Sequence, residues 1–275
     1  MEPVRRIETG APGRRVVWHV AGSGPILVLL HGGYGSWTHW IRNIWPLAQH
    51  MRVLAPDTPG LGDSDMVEPL TLETLAAPIC AGLEEIVGTG QRINIAGFSF
   101  GATVAAGMLN LIGPSVDRLI VLGGGGLGVK RSQMAELESW RHLADEAAIR
   151  AVHRRNLALL MLHDHDAIDE AAVDYQRENT RRARVQSRGF SGTDSLRRAL
   201  VGFGGEVHGI WGEEDATARD GLAAREAVLK GANPDGQFLI VPKAGHWVQY
   251  EAAAVVNAAL IEWIKGTPRS PARNA

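Results

Sequence analysis

Gly97-Phe98-Ser99-Phe100-Gly101 decides the reading of this chain. It stands between the apolar run Ile93-Asn94-Ile95-Ala96, which suits a strand, and Ala102-Thr103-Val104, which opens a helix of small residues. A serine in so tight a strand-to-helix turn takes a strained backbone, and glycines two before and two after it let helix and strand pass closely. The hydroxyl is lifted to the end of the sheet. The following helix aims its first amides and its positive dipole end at the place where negative charge develops during acyl transfer. A glycine-flanked turn can also hold a serine incidentally, so the reading depends on partners elsewhere in the chain.

On either side of this turn, apolar runs recur. Residues 4 to 9 and 14 to 20, parted by Gly10-Ala11-Pro12-Gly13, read as an opening hairpin. Ile26-Leu27-Val28-Leu29-Leu30, Arg52 to Ala55, Leu119 to Leu122, Val207 to Trp211 and Gln237 to Val241 read as strands, with helices such as Leu72 to Val87 and Ala252 to Ile264 between them. Continuous rather than alternating apolar runs fit strands covered on both faces, so the expected class is α/β with a doubly wound, mostly parallel sheet. The rhythm breaks from Lys130 to about Leu196, where Ala, Arg and Glu dominate. That stretch reads as an inserted helical cap over 130–195, leaving 1–129 and 196–265 as the core and 266–275 as a frayed tail.

A serine nucleophile needs a base to take its proton and an acid to orient that base, and both come from distant parts of the sequence. Asp215 follows the strand Val207 to Trp211, and His246 follows Leu239-Ile240-Val241 in Pro242-Lys243-Ala244-Gly245-His246-Trp247. Glu213, Glu214 and Asp220 compete with Asp215 as the acid. The order Ser99, Asp215, His246 puts each member just past a strand, where open parallel sheets gather ligands. His31-Gly32-Gly33 ends the early apolar run, and the amides of Gly33 and Phe100 are the expected oxyanion pair. His31 itself reads as structural.

With Asp57-Thr58-Pro59-Gly60-Leu61-Gly62-Asp63-Ser64, these segments resemble an α/β-hydrolase over nearly the whole chain. Gly124-Gly125-Gly126-Leu127-Gly128, the stretch from His163-Asp164-His165-Asp166 to Arg177, and Gly245-His246-Trp247-Val248-Gln249-Tyr250-Glu251 further resemble the meta-cleavage-product hydrolases, which break a carbon–carbon bond in ring-opened aromatic dienones. The resemblance implies that Arg177 binds the substrate carboxylate, with Arg181, Arg182 or Arg184 as substitutes one turn away, and that Gly32, His39, Phe98 and Trp247 touch the substrate. It also exposes two departures: Phe98 stands where the family commonly has an asparagine before the nucleophile, and His39 stands at a second asparagine position. Ester or lactone hydrolysis is the alternative reading. A cofactor-free oxygenase or haloperoxidase-like activity, or a non-catalytic ligand-binding module, are further ones.

Composition sets the outer bounds. With 275 residues, 45% hydrophobic and 21% charged, the chain is long enough for one large domain with an insertion. A net charge of -2 carries no signature of nucleic acid or an anionic membrane surface as partner, so a small molecule is expected, with a homo-oligomer left open. Cys80 is the sole cysteine, which rules out an intramolecular disulfide and fits the cytoplasm. The Gly123 to Gly126 run lacks phosphate-loop spacing, and the His163 to Asp166 cluster completes no metallohydrolase motif, so neither a cofactor nor a metal is implied.

Overall fold

The computed structural model describes residues 3–266. The tail expected from residue 266 onward lies, past Gly266 itself, outside the described residues. The chain runs β1 Arg5–Thr9, β2 Val16–Ala21, β3 Ile26–Leu30, α1 Ile44–Ala48, β4 Arg52–Pro56, α2 Leu72–Val87, β5 Ile93–Phe98, α3 Phe100–Ile112 and β6 Val116–Leu122. The insertion carries α4 Glu146–Asn156, α5 Glu170–Arg182 and α6 Arg188–Ser191, followed by α7 Ser195–Ala199. The chain closes with β7 Glu206–Gly212, α8 Leu222–Ala232, β8 Phe238–Val241, α9 Val248–Glu251 and α10 Ala253–Lys265.

Eight strands of the described residues pair in the order β1-β2-β4-β3-β5-β6-β7-β8, parallel from β4 to β8, with β2 antiparallel to both of its neighbours. β2, β3 and β5 are buried along their whole length, as their mainly apolar runs require when both faces are covered, with His19 and Asn94 the polar exceptions. One layer packs α2, α3 and α7 through Leu75, Ile79, Val104, Met108 and Leu196; the other packs α1, α9 and α10 through Ile44, Leu47, Val248, Val256 and Leu260. α2 starts at a capping box, in which the Thr71 hydroxyl accepts from Thr74 N and Thr74 Oγ1 accepts from Thr71 N. β3 lies between β4 and β5, so the chain leaves its carboxyl end toward one side and returns on the other. That switch point opens a crevice at the ends of β3 and β5, where Gly33 and Ser99 stand.

The insertion departs from the all-helical expectation. Residues 129–140 form no helix or strand, although Ala135-Glu136-Leu137-Glu138 has helix-forming composition. Tertiary bonds override that propensity: the Asn156 amide takes Glu138 N at 2.9 Å and gives to Glu138 O at 2.8 Å, and Ser132 N donates to Thr217 O at 3.0 Å. The segment is thereby held as a strap with no regular secondary structure. α7, which begins inside the expected cap boundary, buries Leu196 in the same core cluster as α3. No helix of the described residues is long and apolar enough to cross a membrane.

Candidate active site

Ser99 sits at φ 51° and ψ −112°, a left-handed conformation that a side chain rarely adopts, between β5 and α3. The flanking glycines are forced by neighbours: a Cβ on Gly97 would lie 2.8 Å from Ala102 Cα, and one on Gly101 would lie 2.3 Å from Leu30 O. Ser99 N donates to Leu122 O at 2.8 Å, which ties the turn to β6. Its hydroxyl is 3.0 Å from His246 Nε2, and His246 Nδ1 is 2.8 Å from Asp215 Oδ2. An ionised carboxylate only accepts, so Nδ1 carries the proton and Nε2 faces the serine as acceptor. Glu213, one of the competing acids, accepts instead from Lys243 N.

Asp215 is fully buried. Burial by itself raises a carboxyl pKa, but the His246 charge and hydrogen bond, with Thr217, outweigh it and hold Asp215 below its ordinary value. Thr217 donates twice to Oδ1, from its amide and its hydroxyl, both at 2.8 Å. This arrangement can remove a proton from Ser99 and stabilise the imidazolium that results. Thr217 was not legible beforehand, although its place two residues after Asp215 in the same loop was a usable signal.

The glycine loop beyond β3 is braced by two histidines. His31 Nε2 accepts from Thr58 N at 2.9 Å, so its Nδ1–H donates to Gly32 O at 2.8 Å, and burial pushes its pKa down to about 4. His31 is therefore a structural link between β3 and the end of β4. His39 Nδ1 accepts from Gly32 N at 3.1 Å, and burial pushes its pKa well below the ordinary value, which keeps the ring neutral. Its proton is thus on Nε2, a donor on a residue that lines the site. The Phe98 ring packs against both His39 and His246, at 5.4 and 5.1 Å between centroids.

A cavity of about 710 Å³ lies over Ser99 and His246, lined on the core side by Gly32, Gly33, Tyr34, His39 and Phe98. The strap, α4, α5 and α6 form its other wall. Two expected substrate contacts are corrected here. Arg177 is not in the lining: it turns to Glu146, 2.9 Å away, while its helix neighbours Gln176 and Thr180 face the cavity. Arg181, Arg182 and Arg184 do not replace it, being bound to Glu178, to Glu178 and Asp63, and to Ser64 O. Trp247 is fully buried behind His39, its indole N–H donating to His39 O at 2.8 Å, and it too is absent from the lining. Of the arginines in the lining, Arg141 donates to Thr180 O and Arg225 to the carbonyls of Lys130, Thr217, Ala218 and Gly221, whereas Arg131, on the strap, and Arg188, on α6, have no hydrogen bond or ion pair among the described residues.

The cap and the loop that carries His246 are stitched together. Trp247 N donates to Met161 O at 2.7 Å, and the Glu251 carboxylate accepts from Asp164 N at 2.5 Å and Gly245 N at 2.6 Å. The His163 to Asp166 cluster is thus a capped turn docked beside His246, with Asp164 Oδ1 accepting from Asp166 N.

Residues 27–259 match the model of the alpha/beta hydrolase family. The chain is 26% identical to a 2-hydroxy-6-oxononadienedioate/2-hydroxy-6-oxononatrienedioate hydrolase of Comamonas testosteroni, over 94% of this chain and 93% of that one. It is 25% identical to a 2-hydroxy-6-oxo-6-phenylhexa-2,4-dienoate hydrolase of Burkholderia cepacia, with the same coverages. Among solved structures it resembles a variant of the meta-cleavage product hydrolase CumD, with TM-score 0.73, 21% identity and coverage of 95% and 98%. A thermophilic esterase from Thermogutta terrifontis matches with TM-score 0.71, 22% identity and the same coverages. A match over so much of the chain, on a sheet that carries the serine turn at its switch point, places the protein in the alpha/beta hydrolase family.

Proposed function

We propose that the protein is a serine hydrolase that cleaves a carbon–carbon bond in a ring-opened aromatic dienone bearing a carboxylate. The observation that carries the hydrolase reading is the relay Asp215–His246–Ser99, with links of 2.8 and 3.0 Å. Ser99, or a water that His246 activates, adds to the substrate carbonyl. His246 Nε2 takes the nucleophile's proton, Asp215 fixes the tautomer and stabilises the charged ring, and the amides of Gly33 and Phe100 hold the oxyanion. His246 then returns the proton to the departing carbon.

The carbon–carbon reading is supported by the full-length relatives that act on 2-hydroxy-6-oxo-dienoates, and by Arg131 and Arg188 as cations for a substrate carboxylate. His39 Nε2–H supplies a donor at a position where the resemblance calls for an asparagine. Phe98 supplies none, and this favours a second reading, hydrolysis of small aryl esters, which needs fewer polar contacts. Turnover of ring-cleaved dienones and of short-chain aryl esters, each measured with Ser99→Ala as control, separates the two. Ester turnover without dienone turnover would remove the carbon–carbon proposal.

A further inference from the structure

The cap returns to the core through Ser187, just ahead of α6. Its side chain comes down on the glycine loop: a Cβ built on Gly33 would lie 1.9 Å from Ser187 Oγ, 2.7 Å from Ser187 Cβ and 3.6 Å from Phe100 Cβ. The hydroxyl therefore occupies the space that Gly33 shares with Phe100, the two residues whose amides face the developing oxyanion in the reading above. Ser187 is 5% exposed and lines the cavity. Its carbonyl accepts from Phe190 N and Ser191 N, which anchors the backbone. Its hydroxyl has no hydrogen bond among the described residues, yet it is not one of the sealed, unbonded polar atoms, so its free valence opens on the cavity.

We propose that Ser187 is a catalytic residue, a third oxyanion donor carried by the cap. The inference rests on the serine-hydrolase reading of the same site. As the nucleophile's oxygen bonds to the carbonyl carbon, the π pair moves to the carbonyl oxygen and the nucleophile's proton goes to His246 Nε2. The Ser187 O–H, with the Gly33 and Phe100 amides, then donates to that oxygen. When the tetrahedral adduct collapses, the pair returns, the scissile bond breaks and the leaving group takes the proton from His246. Two donors belong to the core and the third to the cap, so full stabilisation exists only with the cap seated. The same contact explains Gly33, since an alanine there would strike Ser187.

The test compares wild type with Ser187→Ala on a short-chain aryl ester, and measures binding of a boronic acid, which mimics the tetrahedral adduct, against binding of the carboxylate product. Loss of one oxyanion donor is expected to lower kcat on the order of 100-fold with KM within twofold. The boronate should weaken in step with kcat while product binding stays unchanged. Ser187→Cys, which keeps the size but offers a poorer donor, should fall between the two. A kcat for Ser187→Ala within twofold of wild type, or a change confined to KM, would overturn the inference while leaving the hydrolase reading intact. A wild type that neither turns over nor forms a fluorophosphonate adduct at Ser99 would overturn both.

Discussion

The two walls of the cavity are built on opposite terms. On the core side Ser99, His31, His39, Asp215 and His246 are each held by hydrogen bonds of 2.8 to 3.1 Å. On the cap side Arg131, Arg188, Gln176 and Ser187 line the same space without a side-chain partner among the described residues, and His153 is buried with both ring nitrogens unbonded. Groups that stabilise a transition state work best when already oriented, because reorganisation during the reaction costs part of their benefit. Groups that select a substrate must be left open until it arrives, at the expense of unmet hydrogen bonds. In the proposed function the core wall thus carries the relay, and the cap wall, apart from the Ser187 hydroxyl, the choice of substrate.

The largest expected effect falls on the core. Ser99→Ala should lower kcat by about 10⁶-fold, and adding His246→Ala should lower it no further, because members of one relay act as a unit. Additive losses, measured by single-turnover kinetics, would mean that the two residues do not share a step. The cap should behave differently. Arg188→Gln or Arg131→Gln should reduce kcat/KM about 10- to 100-fold for an aryl ester carrying a carboxylate, since a hydrogen bond to a charged group is worth roughly 1.5 to 3 kcal/mol. The uncharged ester should be unaffected. Equal losses on both esters would break the division between the walls.

That division also explains what was readable in advance. Ser99 and Asp215 follow the largely buried strands β5 and β7, His246 follows the edge strand β8, and the carboxyl ends of these parallel strands converge at one crevice. The cap offers no comparable frame. Which residue of α5 faces the cavity depends on how the helix is rotated against α4, and one residue is a turn of about 100°. Gln176 and Thr180 share the inner face, while Arg177, next in sequence, is carried round to Glu146. The strap departs from the helical expectation because the two hydrogen bonds that hold it are shared with Asn156, 18 positions away in sequence.

Two histidines, His31 bracing the glycine loop behind the core wall and His153 on the cap wall, turn the comparison into a stability measurement. Burial pushes the pKa of His31 and of His153 down to about 4, from an ordinary value of 6.5. A depressed histidine pKa means that the fold holds the ring neutral. The stability this contributes is complete above about pH 6.5 and is lost as pH falls toward 4, by about 2 kcal/mol for the fully enclosed His31 between pH 7 and 5 and by less for His153, whose ring borders the cavity. Either His31→Gln or His153→Leu should therefore flatten the pH dependence of the urea midpoint. At pH 7 the two should diverge. His31→Gln disturbs two made hydrogen bonds and should destabilise by about 1 kcal/mol, whereas His153→Leu removes two unbonded polar atoms and should be neutral or stabilising. Equal destabilisation would mean that the His153 nitrogens are satisfied in solution.

The smallest effect belongs to Arg177. Its partner Glu146 is exposed, and Arg177 is itself more than a third exposed, so their ion pair contributes between 0 and about 1 kcal/mol. Arg177→Gln should leave kcat/KM for the carboxylate-bearing and the uncharged ester within twofold of wild type, with little change in the urea midpoint. The variant is informative because it removes a cation from the same cap that carries Arg188. If general attraction by cap charge drew in acidic substrates, Arg177→Gln and Arg188→Gln would both lower kcat/KM for the acidic ester, and added salt would reduce both effects. If direct contact in the cavity does it, only the lining arginines respond. A selective loss in Arg177→Gln that persists at high salt would require α5 to rotate when substrate binds, exchanging the face of Gln176 and Thr180 for that of Arg177.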